Sequence, residues 1–145
     1  MNKKDRFFLL ALLCISVLLG GNGFPQEPKP ASGASAAETP TLVLAVMCPS
    51  LQEGSPRNPG VVFPVSQGEV FCFSSFDPVP RKTYVFHSWF HRDVLITRQK
   101  LTLNPPRWST YSTVQLREAD KGPWRVEITD PDERILQVLR FSITD

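Results

Sequence analysis

Gly122-Pro123-Trp124-Arg125-Val126-Glu127-Ile128-Thr129-Asp130-Pro131-Asp132-Glu133, then Arg134, then Ile135-Leu136-Gln137-Val138-Leu139-Arg140-Phe141-Ser142-Ile143: this stretch decides the fold. Trp124, Val126 and Ile128 alternate with Arg125 and Glu127, the period-2 pattern of a strand with one face toward a core. Asp130-Pro131-Asp132-Glu133 reads as a turn, because Asp side chains hydrogen-bond the backbone just ahead of them and proline presets φ. Leu139, Phe141 and Ile143 then alternate against Arg140 and Ser142, which predicts the returning strand of a hairpin. A bulge near Gln137 is expected to bring Ile135 onto the same apolar face. One buried face pins the register, since a one-residue slip would turn every apolar side chain outward.

Working back from the hairpin, the same short runs recur between Pro, Gly, Asn and Asp. Trp108 to Leu116 is one, stopped upstream by Asn104-Pro105-Pro106, and Val94 to Thr97 and Lys100 to Leu103 read as two short edge strands. Tyr84 to His91 alternates cleanly, with Val85, His87, Trp89 and His91 on one side and Tyr84, Phe86, Ser88 and Phe90 on the other. Glu69 to Phe76, Val61-Val62-Phe63 and Thr41 to Cys48 complete the set, with a loop expected over Pro49 to Gly60. No stretch past Thr41 keeps a 3.6-residue period, and 14 prolines in 145 residues disfavour a helical bundle. The expectation is an all-β, immunoglobulin-like Greek-key β-sandwich of seven to eight antiparallel strands over 41–145, with almost no helix. Trp89, Trp124, Val126 and Phe141 are its expected core. The length excludes a two-domain nucleotide enzyme or a TIM barrel.

Before Thr41 the composition changes. Lys3, Lys4 and Arg6 precede an uncharged run from Phe7 to Leu19, and Gly20-Gly21-Asn22-Gly23 follows. That run is the length of a signal h-region and too short to span a bilayer, so residues 1–23 are read as a signal peptide cleaved after Gly23. An uncleaved N-terminal anchor is the alternative. Cys14 lies inside the hydrophobic run behind Leu13, where a lipid-attachment motif needs a small residue, so no lipid anchor is expected. Residues 24–40 are Pro, Ala, Ser and Gly with little to bury, and read as a disordered linker. The product is expected in the periplasm or outside the cell, without membrane insertion after cleavage. Removing 1–23 turns 16 basic and 14 acidic residues into 13 of each and leaves Cys48 and Cys72 as a matched pair.

An oxidising compartment would close two neighbouring thiols, so Cys48 and Cys72 are expected to form a disulfide; two reactive thiols are the alternative. His87 and His91 would lie about 13 Å apart on one strand, too far for one metal ion, and with Cys48 and Cys72 they match no familiar zinc spacing. Neither a metal nor another cofactor is expected. The chain holds no Gly-x-Ser-x-Gly elbow, Ser-x-x-Lys or phosphate-cradling glycine loop, and turn chemistry accounts for Asp77, Asp93, Asp130 and Asp132. No enzyme is expected, with a small hydrolase as the remote alternative.

Binding has more support. Arg81, Lys82, Arg92, Arg98, Lys100 and Arg107 face a single acid, Asp93, whereas 118–133 carries six acids against Lys121 and Arg125. Such polarity steers a charged partner, although solvated faces and edge-strand protection would give the same pattern. Trp108, opening a strand after Pro105-Pro106-Arg107, is the tryptophan expected to be partly exposed. With Arg107, Tyr111 and His87 it forms the candidate binding set. The expected role is a non-catalytic binding or protein-interaction module, with a carbohydrate-recognition module of the cell envelope as the alternative. The partner would be an envelope protein or glycan, not nucleic acid.

Cys48, Phe63, Cys72-Phe73, His87-Ser88-Trp89, Trp108 to Thr113, Gly122-Pro123-Trp124-Arg125-Val126 and Phe141-Ser142-Ile143 arrive in order over residues 42–145. This succession resembles a bacterial family catalogued as domain of unknown function 2914. The resemblance implies domain limits and export, and no activity. The family's serine-rich strand often carries Arg and Lys around Thr-Trp-Ser-Ser, where this chain has Ser109, Tyr111 and Val114. A ligand site built on those cations would be missing here.

Overall fold

The computed structural model describes residues 39–145. The expected signal peptide of 1–23, Cys14 and the expected linker as far as residue 38 lie outside the described residues. Ten strands follow one another: β1 (Leu42–Cys48), β2 (Ser50–Gln52), β3 (Ser55–Arg57), β4 (Val62–Pro64), β5 (Glu69–Phe76), β6 (Thr83–His91), β7 (Val94–Leu103), β8 (Trp108–Gln115), β9 (Gly122–Thr129) and β10 (Ile135–Thr144). Single 3-10 turns occupy Val65–Gln67 and Glu118–Asp120. β1, β5 and β8 form one sheet in the order β1-β5-β8, and a second sheet runs β4-β10-β9-β6-β7. β2 and β3 are a small separate ribbon.

The hairpin of β9 and β10 forms as its alternation dictates, with Val126 opposite Leu139 and Trp124 opposite Phe141. Its register slips between Ile135 and Gln137, where the bulge was expected. Ile135, however, is 57% exposed and does not join the apolar face. Asp130 holds the turn: Oδ1 accepts from the backbone N–H groups of Asp132 and Arg134, both at 2.9 Å.

Three other expectations change. Val94 to Leu103 is one continuous strand, because Gln99 points inward and donates from Nε2 to the Thr113 carbonyl at 3.1 Å. The presumed loop of 49–60 contains the β2–β3 ribbon, turned at Glu53-Gly54 with both residues at positive φ. The pairing is also not wholly antiparallel, since β4 runs parallel to β10. The chain leaves the three-stranded sheet after β1, crosses through the ribbon, and joins the edge of the other sheet, where Ser142 N–H donates to the Val61 carbonyl at 2.9 Å.

The two sheets bury one another's apolar faces. Val70, Cys72 and Phe76 of β5 share a core with Val85 and Trp89 of β6, Trp124, Val126 and Ile128 of β9, and Phe141 and Ile143 of β10. Trp89, Val126 and Ile128 are completely buried, each burial of this kind stabilising by roughly 1.5–3 kcal/mol. Trp89 and Trp124 both pack on Phe141, one edge-on and one stacked, with ring centroids 6.0 Å apart in each case.

Candidate functional site

Directly opposed residues of a strand pair share a face, and successive residues alternate. Met47 opposes Cys72 and Cys48 opposes Phe71, so the two cysteines stand on opposite faces of the same sheet. Both are buried free thiols, and the expected disulfide between them is absent. Burial pushes the Cys72 thiol far up and raises that of Cys48, against hydrogen bonds from the Arg57 and Ser50 backbone. Neither is a thiolate nucleophile at neutral pH.

His87 of β6 is also completely buried, and it ties the two sheets together. Its Nε2 lies 3.1 Å from Ser74 Oγ of β5 and its Nδ1 2.8 Å from Ser112 Oγ of β8. Trp89 Nε1 donates to the same Ser112 oxygen at 3.0 Å. Because the indole can only donate, Ser112 is free to donate onward to Nδ1, and the Nε2–H tautomer then donates to Ser74. Every member of the chain is satisfied with His87 neutral. Burial moves its pKa down to about 4. Ser74 and Ser112 were absent from the candidate set; the one signal for Ser112 is that it alternates with outward Tyr111 and Thr113.

The candidate set therefore divides. His87 is interior. Tyr111 is half exposed, on the outer face of the three-stranded sheet, edge-on to Phe71 at 5.8 Å. Trp108 shares the opposite side of β8 with Ser112, but at the strand's end, and is 40% exposed. Only Trp108 and Arg107 come together, lining a cleft of about 370 Å³ with Asp77 and Phe76.

That cleft sits where many strands turn. β1 begins, β5 ends and β8 begins there, since Leu42 and Trp108 both pair with Phe76. The connections after β5 and β7 touch, Val79 N–H donating to the Pro106 carbonyl at 2.7 Å. The start of β6 and the β9–β10 turn meet at the same end around a larger cleft of about 710 Å³. Arg81, Lys82 and Tyr84 form one wall, Asp130, Arg134 and Ile135 another, and Thr39 and Pro40 reach its edge.

The charges around this end are unequally satisfied. Asp130 would be raised by burial, yet the Arg134 backbone N–H and guanidinium hold it below the usual carboxylate range. Arg134 reaches Asp130 at 2.7 Å and Asp132 at 3.3 Å. Arg98 pairs with Glu133, Arg117 with Asp120, Lys121 with Glu118, and Arg125 with Glu127 and Asp93. All six acids of 118–133 are thus engaged. Arg81, Lys82, Arg92, Lys100 and Arg107 form no ion pair among the described residues. On the outer face of the five-stranded sheet, Lys100 Nζ lies 3.8 Å from the centre of the Tyr84 ring and Arg98 covers Phe86 at 3.7 Å.

Among the described residues no three His, Cys, Asp or Glu side chains cluster as a metal site, and no helix is long and apolar enough to cross a membrane. No curated protein matches the chain. The match to a family model begins at Lys82, leaving β1 to β5, with Cys48, Phe63 and Cys72, outside it. Residues 82–143, from the start of β6 into β10, match the family model described as Protein of unknown function (DUF2914).

Proposed function

We propose that the chain is an exported, non-catalytic binding module of immunoglobulin-like build, which holds its partner at the loop end carrying Trp108, Arg107, Arg81 and Lys82. The strand order supports the build: β1-β5-β8 against β4-β10-β9-β6-β7 corresponds to an immunoglobulin domain lacking one strand of its first sheet. Such domains bury a tryptophan on the strand that Trp89 occupies here. They also anchor an aromatic at the start of the next-to-last strand by a hydrogen bond to backbone a few residues upstream. Trp124 stands in that place, donating from Nε1 to the Asp120 carbonyl at 2.6 Å.

The observation that carries the function is the charge imbalance. The acids of 118–133 are used up inside the molecule, while Arg81, Lys82 and Arg107 converge unpaired on one end. Unpaired cations beside clefts raise the local concentration and association rate of an anionic partner. The full chain, tethered through its C-terminus at the opposite end, should retain an envelope component at low salt and release it as salt rises. An R81E/K82E/R107E variant should retain none. Retention unchanged by the three reversals would overturn the loop-end reading.

A second reading rests on Trp108. An exposed indole beside Arg107 and Asp77 is a stacking platform for a sugar ring, and supports a carbohydrate-recognition module. Retention on peptidoglycan or a glycan array that is lost in W108A would select it; retention indifferent to W108A would exclude it.

A further inference from the structure

We infer that the 710 Å³ cleft between the start of β6 and the β9–β10 turn is a peptide site, taking an extended acidic segment of a partner protein with an apolar side chain among its acids. The inference deepens the loop-end reading and rests on it. Arg81 and Lys82 are both exposed, form no ion pair among the described residues, and line the cleft side by side. Opposite them, Asp130 and Asp132 both pair with Arg134, so neither is spent on Arg81 or Lys82, and the lining carries three cations against two acids.

Between the charged walls the cleft is apolar. Ile135 is 57% exposed here, because the bulge between Ile135 and Gln137 withholds it from the core face on which the rest of β10 packs. Pro131 and Pro40 extend this floor. An exposed isoleucine beside free cations fits a ligand that is itself apolar and anionic. A glycan fits less well. The aromatic in the wall, Tyr84, already has Lys100 over one ring face and packs against Phe86 at 5.4 Å, so a sugar would compete with these contacts for the ring. The charge complementarity and the apolar floor together select an acidic peptide.

The test uses the full chain and three probes: a fluorescein-labelled peptide with Leu flanked by Glu pairs, the same peptide with every Glu replaced by Gln, and a labelled oligouronate of equal charge. Binding followed by anisotropy should favour the Glu peptide about tenfold over the Gln peptide, and should weaken as salt screens the contact. R81E/K82E should cost about tenfold and I135S a few-fold, whereas R140E, on β10 outside the cleft, should leave the Glu peptide unaffected. All three variants alter exposed side chains, and an unchanged urea midpoint verifies their fold. Equal binding of the Gln peptide, equal or tighter binding of the oligouronate, or indifference to R81E/K82E would each overturn the proposal. If no peptide binds while envelope retention still depends on the three cations, the peptide class falls and the loop-end reading stands. If retention also fails, both fall.

Discussion

His87 makes the folded state sensitive to acid. In the unfolded chain its imidazole titrates near 6.5, whereas burial in the fold brings it to about 4. The unfolded state therefore binds the proton first as pH falls. Its contribution to stability is complete above about pH 6.5, declines between there and about pH 4, and is gone below. The interval corresponds to roughly 3 kcal/mol. Urea midpoints measured from about pH 7.5 to 4 should fall accordingly, and H87Q should flatten most of that slope; an equally steep slope in H87Q would assign the acid sensitivity elsewhere. Thr129 presents the opposite case. Its hydroxyl is buried without a hydrogen-bond partner among the described residues. Replacing it with the equally shaped valine removes a desolvated polar atom and leaves no cavity, so T129V should raise stability by about 1 kcal/mol. A lowered midpoint would mean that the hydroxyl has a partner.

At the scale of elements, strand parity governs what the cysteines can do. Cys48 and Cys72 lie on paired strands with opposed side-chain directions, so alkylation of the denatured protein without prior reduction should label both in a peptide map. Protection of the pair until reductant is added would contradict the register of β1 and β5. Parity also explains how far the sequence could be read. β5, β6, β9 and β10 were legible because each alternates over several residues with one apolar face. β7 reads as two strands because Arg98-Gln99 looks like a break between Thr97 and Lys100, and nothing local reveals that Gln99 turns inward to cap the edge of β8. The β2–β3 ribbon has strands of three residues, too short to display a period; Glu53-Gly54 was its one signal. Trp108 and Tyr111 are an odd number of residues apart on one strand, so alternation alone places them on opposite faces, and grouping them in one site overlooked that. The larger cleft was not legible at all. Its walls come from 39–40, 81–84 and 130–136, and only the tertiary fold juxtaposes them.

For the whole molecule, the immunoglobulin-like reading makes a claim that does not depend on any ligand. In immunoglobulin domains a disulfide joins the second strand of one sheet to the next-to-last strand of the other, beneath the buried tryptophan, and the corner aromatic lies two residues before the second cysteine. By the strand order here, Cys72 of β5 stands in the first of those places and Val126, two residues after Trp124, in the second. Both side chains are fully buried in the shared core, and Val126 pairs directly with Trp89. On that reading the chain keeps one half of the bridge as a thiol and fills the other with valine, leaving cohesion between the sheets to packing and to the Ser74–His87–Ser112–Trp89 hydrogen bonds. V126C should restore the bridge. Expressed in an oxidising compartment, it should lose the Cys72 thiol, keep that of Cys48, and show one crosslinked peptide pair. Closing the loop between positions 72 and 126 removes unfolded-state entropy worth about 4 kcal/mol before any strain, so the unfolding midpoint should rise and return toward the V126A level on reduction. If Cys72 and the thiol introduced by V126C both remain alkylatable in folded, oxidised protein, β5 and β9 do not face one another as an immunoglobulin-like sandwich requires, and the shared strand order would be a coincidence of topology.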